Sequence, residues 1–227
     1  MKYIGTITAA ASGSIAGCVF SRNHFGSYVR NRAIPINPGS VQQSVVRSAM
    51  AAATQAWSAT LTQAQRDGWN AYAAAVPKQD ALGFQIFLLG INWFVAVNVL
   101  RIQDGEALLL AAPTILTGTS LTPPTINNID VSEANVDFNI TIADPWNDDA
   151  GGRLYVFASR GTNASREFFK GPFRLAGSFS GTVAANPLTV GLPFAVAVGQ
   201  KVWVRFIAQT VDGRLSADFI TNAIAQA

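Results

Sequence analysis

The feature that most constrains this chain is a change of hydrophobic period near Pro123. Upstream, Val41, Val45, Ala49, Ala52, Ala56 and Trp57 recur at the three-and-four spacing of an amphipathic helix. Downstream the period is two. Val136, Phe138, Ile140 and Ile142 alternate with Asp137, Asn139 and Thr141, and similar alternation marks Leu154, Val156 and Ala158, then Val202, Val204, Phe206 and Ala208. A 3.6-residue pattern does not settle as a strand, nor a two-residue pattern as a helix. The chain therefore joins a helical part to a β part.

The helical part has its own punctuation. Ser40-Val41-Gln42-Gln43 and Thr62-Gln63-Ala64-Gln65 both fit a capping box. The second opens a stripe of Trp69, Tyr72, Ala73 and Val76 that Pro77 stops, giving a helical hairpin joined near residues 59–61. Residues 81–100 are uncharged and predict a third helix ending near 101–105. Gln85, Asn92, Asn98, Gly83 and Gly90 within that stretch, and one cation at each end, argue for a helix buried in protein rather than a membrane span. Residues 111–124, with three prolines and no charge, read as a linker. Turn signals at 148–152, 161–163, Asn186-Pro187 and Asp212-Gly213 then divide residues 125–227 into about seven short strands. That pattern fits an immunoglobulin- or fibronectin-like β-sandwich, without the cysteine pair of antibody domains and with Trp203 as a core anchor. The expected fold is α+β and multidomain: an extended basic arm (1–39), a helical module (40–110), a linker (111–124) and the sandwich (125–227).

Residues 1–66 carry Lys2, Arg22, Arg30, Arg32, Arg47 and Arg66 and no acidic residue, a charge of +6, whereas the rest of the chain carries −3. Such asymmetry points to a basic segment with an acidic partner, a protein surface in preference to nucleic acid because the charges are spread out. The arm mixes Phe20, Phe25 and Tyr28 with Arg22, Arg30 and Arg32, then Ile34-Pro35-Ile36-Asn37-Pro38 holds it extended. Aromatics and arginines are the residue types that most often carry interface energy. An extended segment can also add a strand to an exposed sheet edge. Phe20, Arg22, Phe25, Tyr28, Arg30 and Arg32 are therefore the candidate partner-binding residues. The arm has too little apolar mass for a core of its own, so it is expected to pack on a neighbour.

Chemistry is poorly supplied. One cysteine (Cys18) and one histidine (His24) leave no cysteine- or histidine-based metal centre, and no phosphate loop, HExxH or GxSxG occurs. Asp144-Pro145-Trp146-Asn147-Asp148-Asp149 is rich in oxygen ligands but lacks a calcium-loop spacing, and reads as a solvated turn. No cofactor, no metal and no enzymatic activity are expected. The N-terminus lacks the apolar stretch of a signal peptide. Only 13% of residues are charged while 49% are hydrophobic, so much surface should be buried against partners and the chain should oligomerise.

Residues 17–75 also carry a resemblance. Arg30-Asn31-Arg32, Pro35-Ile36-Asn37-Pro38, Gln42-Gln43 and Arg47 are followed by Trp57 and Leu61-Thr62-Gln63-Ala64-Gln65-Arg66-Asp67-Gly68-Trp69. Gly90-Ile91-Asn92-Trp93-Phe94 and Asn98-Val99-Leu100-Arg101 extend the pattern. It resembles a poorly characterised group of virion-associated proteins of tailed bacteriophages and prophages. The resemblance covers about the first 105 residues. It implies a structural role in the virion, as a capsid-associated, decoration or neck subunit bound to capsid, portal or neck proteins. Two other readings stay open: a host-surface or glycan-binding module with Trp146 exposed on a loop, and a DNA-binding protein using Arg22, Arg30 and Arg32.

Overall fold

The computed structural model describes residues 12–23, 26–34, 37, 39–79 and 84–227. The chain divides into two compact units, Met1–Ser40 and Val41–Ala227. In the first, β1 (Gly13–Ile15), β2 (Cys18–Asn23) and β3 (Gly26–Asn31) form an antiparallel meander. Gly17, at φ +81°, makes the first turn, in a backbone region that glycine occupies without steric cost.

The second unit begins with α1 (Val41–Ala59) and α2 (Gln63–Ala75). At the start of α2 the capping box forms: Gln65 N donates to Thr62 Oγ1 at 3.3 Å, and Thr62 N donates to Gln65 Oε1 at 2.9 Å. Short strands β4 (Lys78–Gln79) and β5 (Gln85–Ile86) pair before α3 (Gly90–Asp104). The third helix is thus shorter than residues 81–100 suggest at its start. Phe84 to Leu89 are non-helical, and the helix closes at Gly105 in the left-handed conformation. No helix among the described residues is long and apolar enough to cross a membrane. The helical core consists of Leu61, Trp69, Tyr72, Val76, Trp93, Phe94 and Val97 with small alanines between. Its rings meet edge-on, Trp69 with Phe94 at 5.6 Å and Tyr72 with Trp93 at 5.5 Å.

Two antiparallel sheets follow. One has the order β10 (Leu188–Gly191), β7 (Asn135–Asn139), β6 (Thr125–Asp130); the other runs β12 (Phe219–Ile224), β11 (Lys201–Gln209), β8 (Arg153–Ala158), β9 (Arg174–Ser180). A single apolar core lies between them. Ile129, Val136, Phe138 and Val190 enter from the first sheet and Leu154, Val156, Val202, Val204 and Phe206 from the second.

The helical and β parts are not separate bodies. Tyr155, Phe157 and Ile207 point to the other side of the four-stranded sheet and are buried there with Leu100 of α3 and Leu215. Tyr155 Oη donates to Gln209 Oε1 at 3.0 Å, and Gln209 Nε2 donates to Val97 O of α3 at 3.4 Å. Residues 111–124 are correspondingly no free linker. Trp69 Nε1 donates to Leu110 O at 3.0 Å just before them, and Thr122 donates to buried Asp144 through its N–H (3.0 Å) and hydroxyl (2.7 Å). The physical reason is that the outward side of β8 and β11 carries Tyr155, Phe157, Trp203 and Ile207 among its polar residues, and these apolar side chains need cover.

Two tryptophans differ from expectation. Trp146 is fully buried in the core between the sheets, not exposed on a loop. Trp203 is buried but faces away from that core and stacks on Phe169 at 6.1 Å, because residues 202, 204, 206 and 208 take the inward positions of β11. The turn around Asp144 is solvated only in part, with Asp148 and Asp149 exposed. Asp144 and Asn147 are buried, and Asn147 ties Ile142 O, Val183 O and Val183 N together.

Candidate interaction surfaces

In the arm, register decides what shares a face, since residues paired across an antiparallel ladder point the same way. Phe20 pairs with Val29 and Arg22 with Ser27, putting Phe20, Val29 and Arg22 on one side. Val19 pairs with Arg30 and Ser21 with Tyr28, putting Val19, Tyr28 and Arg30 on the other. The candidate residues are therefore brought onto one small sheet but divided between its faces. Arg22, Arg30 and Arg32 are exposed and Phe20 and Tyr28 half-buried, while Phe25 lies outside the described residues. Arg32 continues β3 by donating its N–H to Gly17 O at 2.7 Å. Among the described residues of the arm, none is buried. In the order β1-β2-β3 the outer strands leave two edges without a ladder partner among the described residues.

Within the second unit, a charged seam ties α3 to the sheet. Arg153 Nε lies 3.4 Å from Asp104 Oδ2, and its Nη2 donates to Glu106 Oε1. Arg101 Nη2 lies 3.6 Å from the other oxygen of Glu106. The hydrogen bond from Arg153 holds the Glu106 carboxyl below its ordinary value. Nearby, burial and the Asp104 carboxylate push the Tyr155 phenol up, so it stays protonated and can donate to Gln209. In the helical core, burial pushes Tyr72 up to about 12. A cleft of about 770 Å³ is lined by Val76, Lys78, Trp93, Leu100, Arg205 and Asp218. The Arg205 guanidinium lies over Phe157 at 4.3 Å and Phe173 at 5.4 Å, with Asp218 at 3.4 Å. Burial lowers its pKa. Among the described residues no group of three histidines, cysteines or carboxylates could hold a metal.

A third surface escaped the sequence reading. Between residues 153 and 205 the chain has seven basic side chains and one acidic residue, Glu167. The signal was present in Arg166-Glu167-Phe168-Phe169-Lys170-Gly171-Pro172-Phe173-Arg174, where cations and rings interleave. The register brings Arg160, Arg166, Arg174 and Lys201 to one end of the four-stranded sheet. Ala158 pairs with Arg174 and with Val204, and Thr162 bridges to Lys201. Arg174 and Arg160 both lie over Phe194, at 4.2 and 5.2 Å. Arg166 lies over Phe169 at 5.0 Å, and Lys201 Nζ donates to Arg166 O at 2.8 Å.

No family model matches the sequence, and no curated protein matches it. Among solved structures, 48% of this chain aligns with 17% of the Twitchin kinase region from C. elegans (Fn31-NL-kin-CRD-Ig26), at 14% sequence identity and a TM-score of 0.29. A likeness at that level carries no argument about fold or function.

Proposed function

We propose that this chain is a non-enzymatic structural protein of a bacteriophage virion, a capsid-associated, decoration or neck component that binds neighbouring virion subunits through its arm and helical part. The observation that carries this reading is the arm. It is an acid-free basic sheet with two open edges, apolar residues beside arginines on both faces, and no buried residue among those described. So small a sheet is marginal alone and gains stability when something covers a face or extends an edge. The helical part offers further contact surface in exposed Val41, Met50, Phe87 and Leu89. The motif resemblance of residues 17–75 supplies the virion. Residues 125–227 are read as an immunoglobulin- or fibronectin-like sandwich. The strand order β6–β7–β10 facing β12–β11–β8–β9, with the core between, supports that reading. Trp146, one loop aromatic whose exposure would have favoured the glycan-binding alternative, is buried.

The test is to delete residues 1–38 and measure occupancy on purified particles. The truncated chain should keep the far-ultraviolet dichroism of its second unit and be missing from particles. Normal occupancy of the truncated chain would refute the assignment of the arm.

A further inference from the structure

We propose that the cationic end of the four-stranded sheet, built from Arg160, Arg166, Arg174 and Lys201 with exposed Lys170 next to Phe169 in the chain, binds single-stranded nucleic acid. This surface is distinct from the arm, and the inference does not rest on the virion reading. None of these five cations is in an ion pair among the described residues, whereas Arg153, Arg205 and Arg214 each are. With Glu167 the one acidic side chain between residues 153 and 205, these cations give that surface a positive potential that attracts a polyanion. Three of the guanidinium groups rest on rings, and two of these are also hydrogen-bonded to backbone carbonyls. Arg160 and Arg174 lie over the ring of Phe194, Arg166 over Phe169, and Arg174 Nη1 and Arg166 Nε are anchored to Pro193 O and Phe168 O, at 3.1 and 2.8 Å. Stacked arginines keep edge N–H groups for a phosphate, with less side-chain entropy left to lose on binding.

The chemistry selects among polyanions. Sugar recognition needs acceptors for hydroxyl groups, but Glu167 is the lone carboxylate here and Asn163 Oδ1 is already taken by the Ser165 N–H (3.0 Å) and hydroxyl (2.9 Å). What the surface offers besides charge is a ring, Phe168, 70% exposed between Arg166 and Lys170 in sequence. An exposed ring beside cations is the arrangement that stacks an unpaired base while the cations follow the backbone, and a duplex, whose bases are already stacked, cannot use the ring.

The experiment is fluorescence anisotropy of a labelled oligothymidylate titrated with the full chain across a salt series. Arg160→Gln, Arg166→Gln and Lys170→Gln are combined in one variant, all three positions being exposed. This variant should bind at least about tenfold more weakly, with the slope of log K against log salt smaller by about 2, as expected for three lost phosphate contacts on a single strand. Arg22→Gln/Arg30→Gln/Arg32→Gln in the arm should bind like the parent. Phe168→Ala, which keeps every charge, should weaken binding several-fold and covers the case in which the triple variant misfolds. The proposal is overturned if the parent does not bind at low salt, if a duplex of equal length binds more tightly, or if only the arm variant loses affinity. It is equally overturned if the triple variant changes self-association by light scattering while oligonucleotide binding stays intact, which would make a second copy the partner.

Discussion

Gly90→Ala provides a test in which helix propensity and packing have opposite signs. Gly90 opens α3 where it crosses α2. A Cβ there would lie 2.4 Å from Asn70 Oδ1, 2.7 Å from Asn70 N and 2.8 Å from Trp69 C. The side-chain oxygen can rotate away, but the two backbone atoms cannot. Relief to ordinary contact near 3.4 Å requires α2 to retreat from α3 by about 0.7 Å. A gap of that size forfeits roughly a quarter to a half of the dispersion well for the atoms lining it, here the Trp69–Phe94 and Tyr72–Trp93 ring contacts. Overpacking of this kind costs about 1–3 kcal/mol, against an intrinsic gain of at most about 1 kcal/mol for alanine over glycine in a helix. The net expectation is a loss of about 1–2 kcal/mol, a fall in Tm of roughly 3–8 °C for a unit of this size. Gly68→Ala in α2 is the control, because its Cβ would meet Ala112 Cβ at an ordinary 3.5 Å and only the propensity gain remains. Thermal melts followed by circular dichroism should therefore move in opposite directions for the two variants. A Gly90→Ala protein as stable as Gly68→Ala would refute the close-crossing argument.

Two further outcomes are expected. Residues 125–227 expressed alone should aggregate or bind an apolar dye, because Tyr155 and Ile207 lose the cover that α3 supplies through Leu100. At about 1.5–3 kcal/mol for each such side chain, that loss is comparable to the whole stability of a domain, and a soluble monodisperse fragment would contradict it. Glu106, whose folded pKa is lowered from 4.5, contributes stability that is present above the ordinary carboxylate range and lost as pH falls through the folded value. Urea midpoints should drop on acidification below about pH 5, and less so in Glu106→Gln.

The elements were legible where one periodicity acted alone. Thr62 and Gln65 announced α2, Pro77 ended it, and the alternation at 136–138 and 202–208 marked the inward faces of β7 and β11. What the alternation concealed was the other face. Leu154, Val156 and Ala158 were read as a stripe, but the intervening Tyr155 and Phe157, like Trp203 and Ile207 on β11, are equally apolar. That double-sided pattern marks a strand covered on both sides, and it predicts the layer that unites helices and sheets. Trp146 was missed for another reason. Its neighbours Asp144, Asn147, Asp148 and Asp149 look like a solvated turn, yet Asp144 accepts from the Thr122 N–H and hydroxyl, Asn147 bonds to backbone groups, and the indole between them is buried. The division of the arm residues between two faces depended on register, which spacing within one strand does not give.

The bond from Gln209 to Val97 O spans 112 positions in the chain. At synthesis rates of about 5–20 residues per second, α3 waits on the order of ten seconds for the strand that completes its surroundings. During that interval the nascent helices show water, and any passing chain, the side that later closes over Tyr155 and Ile207. Partners that recognise the finished second unit cannot do so until β11 has been made. The strands of the arm, in contrast, pair with one another within residues 13–31, so their ladder can close as soon as those residues have been made.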